Sequence, residues 1–169
     1  MLAGEDHVCA PCGLAYGDVA VQDIPGRLRA VNAEIGALIT DLSAAELTHQ
    51  PDQLTWSALE YLCHVRDVYV ASTIRLYRAR KEFKPQIEPV FNDLRVLRFR
   101  YNEADVLGVL HEMGLTSDGL VEEMARVSDW DRTFTRQPGE ERTARWLVRQ
   151  ALHEALHHAA DMRSSAASA

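Results

Sequence analysis

The segment Arg149-Gln150-Ala151-Leu152-His153-Glu154-Ala155-Leu156-His157-His158-Ala159-Ala160-Asp161-Met162 decides how the chain is read. It is rich in good helix formers, and His153 and His157 stand four residues apart within it. On a helix that spacing puts both side chains on one face, with Cβ atoms roughly 5–6 Å apart. Two imidazoles at that distance can close on one metal ion through bonds of about 2.0–2.1 Å. Two histidines do not complete a site, so a third ligand has to come from elsewhere.

His153-Glu154-Ala155-Leu156-His157 also matches the H-E-x-x-H pattern of zinc proteases. The match fails downstream. Metzincins carry a third histidine six residues after the second, where this sequence has Arg163. Other zincins need a later glutamate, and no Asp or Glu follows Asp161. The third ligand is expected upstream.

A length of 169 residues fits one domain with a single core. The formal charge of −7 argues against a polyanion-binding surface, so no nucleic-acid partner is expected. No apolar run approaches the roughly 18 residues of a membrane span, and the N-terminus lacks the basic start and apolar core of a signal peptide. The expectation is a cytoplasmic protein without membrane contact. Three cysteines are too few for a disulfide framework in a chain this long.

Residues 1–20 read as a separate segment, and residues 21–165 as a helical bundle. The segment holds Cys9-Ala10-Pro11-Cys12-Gly13, whose tight turn suits a zinc knuckle. Such a site needs two further ligands. His7 is one candidate, and two free thiols in an ordered turn is the alternative. Helix 1 is expected from Pro25 to about Leu47, on a stripe of Leu28, Val31, Ile35, Leu38 and Leu42. Ser57-Ala58-Leu59-Glu60 has the form of a capping box and opens helix 2, which runs to about Arg80 with His64 on a mostly apolar face. Two prolines, Pro85 and Pro89, then start a long connection to about Tyr101, which either folds over a pocket mouth or spans the bundle. Asn102 is the expected cap of helix 3, which ends near Ser128. A loop with Pro138-Gly139 follows, and Thr143 caps the last helix. His49 and His111 lie in polar surroundings and read as surface residues. Four amphipathic helices and no convincing strand give an all-α four-helix bundle with a long crossover between helices 2 and 3.

Two segments resemble a known family. Trp56-Ser57-Ala58-Leu59-Glu60-Tyr61-Leu62-Cys63-His64-Val65-Arg66-Asp67 is similar to the W-S-x-x-E-x-L-x-H-x-x-D signature of the DinB-like superfamily, the damage-inducible metalloproteins. Glu141-Arg142-Thr143 and the His153/His157 pair resemble its second half, and the likeness covers about residues 25–162. The Cys9/Cys12 segment lies outside the family core and resembles an extension of an actinobacterial branch. The resemblance implies a four-helix bundle whose metal is held by one helix-2 histidine and a helix-4 pair, here His64, His153 and His157. His158 points about 100° away from His157 on an ideal helix and is not expected to be a ligand. The implied cofactor is a divalent metal, zinc first, with nickel or iron as alternatives.

The family includes mycothiol- and bacillithiol-dependent enzymes, so the implied partners are a small-molecule thiol and an electrophile. A homodimer is compatible with the resemblance. The expected function is a thiol-dependent S-transferase using a His₃ site. The alternatives are a non-catalytic, stress-responsive metal-binding protein and a metal-dependent hydrolase. Glu60 and Glu154 are the candidate catalytic carboxylates, and Glu60 or Asp67 could instead hold an imidazole N–H. Arg142, Arg145 and Arg149 form either a carboxylate grip or a solvated face.

Overall fold

The computed structural model describes residues 4–169. Four long helices make the bundle: α1 (Ile24–Asp41), α3 (Ala58–Lys81), α5 (Val106–Met124) and α6 (Ala144–Ala166). Short helices α2 (Ala44–Thr48) and α4 (Asn92–Arg98) and a hairpin of β1 (Thr133–Thr135) and β2 (Glu141–Thr143) lie in the connections.

The apolar spacing of α1 turns Leu28, Val31, Ile35 and Ile39 into the core. This helix ends sooner than its periodicity predicts. Leu42 adopts an extended conformation, and Ser43 and Glu46 exchange a second capping box that starts α2 afresh. The expected box at Ser57 is present: Glu60 N–H donates to Ser57 Oγ (3.1 Å) and Ser57 N–H to Glu60 Oε2 (2.8 Å). Asp105, not Asn102, caps α5 by accepting the Gly108 N–H. Asn102 instead accepts from Ser57 Oγ and donates to the Thr48 carbonyl, which ties two loops together. Thr143 caps α6 through the Trp146 N–H at 3.0 Å.

Helix α3 packs chiefly on α5 and α6, and α1 packs on α6. The segment expected as an irregular loop before α6 is a hairpin, with Thr133 paired to Thr143 and Phe134 to Arg142. Phe134 is fully buried against Trp146. The crossover does both things the sequence allowed. It spans from α3 to α5, and Pro89–Asp93 cover a cavity between α3 and α6. Its start is tied to the hairpin, since Ile87 N–H donates to the Thr135 carbonyl and Thr135 N–H to the Pro85 carbonyl.

The N-terminal segment shares the bundle core, to which Leu14, Tyr16 and Val19 all belong. It wraps the start of α6. Glu5 accepts from both Thr143 N–H and its hydroxyl, Trp146 Nε1–H donates to the Gly4 carbonyl, and Arg149 donates twice to the Val19 carbonyl. No helix among the described residues is long and apolar enough to cross a membrane.

Candidate metal centre

Helix α6 carries two ligand pairs of i, i+4 spacing, offset by one residue: His153 with His157, and Glu154 with His158. One residue is about 100° of helix rotation, so the pairs face different neighbours. Among the described residues, side-chain atoms able to bind a metal and within 4.8 Å of one another form two groups. His64, Glu154 and His158 make one, and Cys9, Cys12, His153 and His157 make the other.

The first group joins α3 to α6. Glu154 Oε2 accepts from His64 Nε2–H and from His158 Nε2–H, each at 3.1 Å. Gln150 holds the other Glu154 oxygen at 2.8 Å, and His158 Nδ1–H donates to Asp161 at 2.8 Å. Both imidazoles are set by ring contacts, His64 against Trp56 and His158 stacked on Tyr61. Burial disfavours the Glu154 carboxylate, but hydrogen bonds from His158 and His64 outweigh it and hold the group well below the usual range. Burial likewise opposes a charged His158, yet its bonds to Asp161 and Glu154 push it up to about 9. The two Nε2–H protons thus point at the carboxylate from positions where lone pairs would serve a cation.

Two members of this group, His64 and Glu154, line a cavity of about 310 Å³ together with Gln150, Ser72, Arg75 and Arg136. Burial, then the Arg136 charge, pull the Arg75 guanidinium down to about 10, so it stays cationic at neutral pH. Arg136 Nε is buried with no hydrogen-bond partner. The cavity therefore combines two cations with a site for a third.

The second group joins the N-terminal segment to α6. Cys9 Sγ is 3.4 Å from His157 Nδ1, and His157 Nε2 is 3.7 Å from Asp161. His153 Nδ1 meets the Tyr16 hydroxyl at 2.9 Å, while its Nε2 is buried without a partner. Burial, followed by the other nearby histidines, keeps His153 below the usual imidazole value despite Glu154, so it is neutral.

Residues 27–162 match the model of the DinB superfamily. The chain belongs to the DinB superfamily. Its fold is similar to that of YfiT from Bacillus subtilis, described as "a probable metal-dependent hydrolase with an unusual four-helix bundle topology". That likeness has a TM-score of 0.79 at 18% identity, over 86% of this chain and 85% of that one, and it speaks for the fold. No curated protein matches the chain in sequence.

On this DinB superfamily bundle, the three histidines expected to share one ion are divided between the two groups. His64 faces Glu154 and His158, while His153 and His157 face the cysteines. His158 therefore stands beside His64 and Glu154, and the cysteines meet two histidines of α6. The rotational phase of α6 is the reason. Leu147, Ala151, Glu154 and His158 follow one another by four, three and four residues, and the first two are fully buried. Spacing alone does not fix that phase, because Glu154 and His158 form an i, i+4 pair as good as His153 and His157. His7 packs between Tyr16 and His153 as a ring contact. Glu60 spends its carboxylate on the Ser57 cap and on Gln50, and Asp67 binds Arg66, Arg95 and Tyr101, so neither holds an imidazole. Of the three arginines before the pair, Arg149 anchors Val19, Arg145 pairs with Asp131 and Arg142 lies over Trp146, and none lines the cavity. Arg75 and Arg136 take that place, brought there by the hairpin and by α3. His111 is exposed and His49 half-buried, and neither belongs to a ligand group.

Proposed function

We propose that this chain is a divalent-metal-dependent enzyme that activates a low-molecular-weight thiol for transfer to an electrophile. The metal is held by His64, Glu154 and His158. The observation that carries the reading is the convergence of these three donors beside a cavity that His64 and Glu154 line together with Arg75 and Arg136. Two imidazoles and one carboxylate are a donor set suited to zinc, with iron or nickel as alternatives. With three protein ligands, such a site would leave a position open, and the metal there would lower the pKa of a thiol or water.

The protein's own groups do the rest. Glu154 balances the charge of the cation, and Gln150 fixes its second oxygen. Asp161 accepts the Nδ1–H of His158, which orients the ring and raises its basicity. Arg75 and Arg136 receive an anionic part of the thiol or of the electrophile, and the unpartnered Nε–H of Arg136 is a donor in waiting. Pro89–Asp93 of the crossover supply part of the cavity's lining.

The test follows loss of mycothiol, bacillithiol and glutathione against a generic electrophile, before and after chelation. Thiol consumption that stops with the metal removed, and in H64A and H158A, supports the reading. A second reading, metal-dependent hydrolysis, is favoured by the fold likeness to YfiT as that protein is described. It predicts ester or amide cleavage with no thiol consumed. Retained metal with neither activity leaves a non-catalytic metal-binding protein.

A further inference from the structure

We propose that Cys9, Cys12, His153 and His157 form a second, closed zinc site that fastens the N-terminal segment to α6. It shares no ligand with the cavity site, so it stands or falls separately from the enzymatic reading.

The four donors meet the needs of a tetrahedral ion. Zn–S bonds of about 2.3 Å and Zn–N bonds of about 2.0–2.1 Å put neighbouring ligand atoms roughly 3.3–3.8 Å apart. Cys9 Sγ and His157 Nδ1 are at 3.4 Å, and all four donors lie within 4.8 Å of one another. The loop is built for the purpose. Cys9 N–H donates to the Leu14 carbonyl (2.9 Å) and Gly13 N–H to the Cys9 carbonyl (2.8 Å), folding both sulfurs to one side. Gly13 has φ +71°, which a side chain would resist. All three cysteines are free thiols.

The independent sign of a ligand is His153 Nε2, a buried nitrogen with nothing to bind. An unsatisfied buried polar atom is costly, and here it belongs to an imidazole with a ring nitrogen within 4.8 Å of both sulfurs and of a His157 nitrogen. On its far side the His153 ring has a hydrogen-bond partner, and the His157 ring has a carboxylate 3.7 Å away. His153 Nδ1–H can donate to the Tyr16 hydroxyl, and His157 Nε2–H faces Asp161. Ligating histidines are commonly oriented through the second nitrogen in this way. Two thiolates with two imidazoles select zinc among the common divalent ions. Four protein ligands leave no open position, so the site is structural. His153 and His157 alternate on α6 with Glu154 and His158, so the two donor sets use different faces of one helix.

The experiment measures bound zinc by mass spectrometry after dialysis and records the spectrum of the cobalt-substituted protein. The double variant C9S/C12S should hold about one zinc fewer per chain than the wild type, whatever the cavity site retains. Wild type and H64A should show a thiolate-to-cobalt charge-transfer band that the double variant lacks. If the double variant fails to fold, thiol alkylation of the wild type decides. Zinc should protect Cys9 and Cys12, and chelation should expose them, with Cys63 as the buried control, its thiol pushed up to about 12. Unchanged zinc in C9S/C12S, no thiolate band in folded cobalt protein, or equal alkylation with and without zinc would overturn the proposal.

Discussion

Glu154 is the residue on which the cavity site turns, because it is the single anion between two imidazoles. E154Q keeps its shape but removes the charge that faces the cation. It is expected to cost more metal affinity than the roughly 10–100-fold typical of losing an outer hydrogen-bond partner. Competition with a chromophoric chelator measures this, and the thiolate band of the cysteine site should survive the change. Tyr16 gives the converse case. Y16F removes the hydroxyl opposite His153 Nδ1 and should weaken the cysteine-site zinc by about 10–100-fold while the fold persists. Unaltered affinity would mean that Tyr16 only fills space. The histidines and cysteines of both sites stand out in the sequence by type. Their partition does not, because a shift of one residue on α6 exchanges one face for another, and packing against α3 sets it.

The crossover is the element that the sequence left open, and Asp67 is its anchor. Arg66 and Arg95 both pair with this carboxylate, and the Tyr101 hydroxyl donates to it. Burial pushes the Asp67 carboxyl up, but bonds from Arg95 and Tyr101 and the charge of Arg66 outweigh it, and the net shift is downward. A carboxyl lowered by folding stabilises the protein above its unfolded value of about 3.9, and the benefit fades as pH falls towards the folded value. Unfolding by denaturant should therefore become easier from about pH 4 downward. D67N should lose about 2–3 kcal/mol at neutral pH and flatten that acid dependence. An undiminished acid slope in D67N would assign it to other carboxylates. Periodicity revealed the four long helices, and capping chemistry revealed the starts of α3 and α6. It did not reveal α4 or the hairpin. These are too short for a repeat to register, and their partners are remote: Thr135 meets Pro85 and Ile87, and Arg95 meets Asp67.

At the scale of the whole molecule, the two proposed sites sit on one helix and load the fold at two different places. The cavity site ties α3 to α6, and the cysteine site ties residues 148 positions apart, Cys9 to His157. Neither ligand set persists in an unfolded chain, so each bound ion stabilises the folded state by mass action. Above saturation, each site adds about 1.4 kcal/mol for every tenfold rise in free zinc. With both sites filled, the slope of unfolding free energy against the logarithm of free zinc should be about 2.8 kcal/mol per decade. C9S/C12S should halve it, and so should H64A, while the combination should abolish it. For a chain of this size each kcal/mol moves the melting temperature by roughly 2–4 °C, so the steps are readable by differential scanning fluorimetry in zinc buffers. A slope that C9S/C12S leaves unchanged would show that zinc does not hold the N-terminal segment. One that H64A leaves unchanged would show that the cavity site takes another metal or none. Because the sites share no ligand, the two failures fall on different variants and cannot be mistaken for each other.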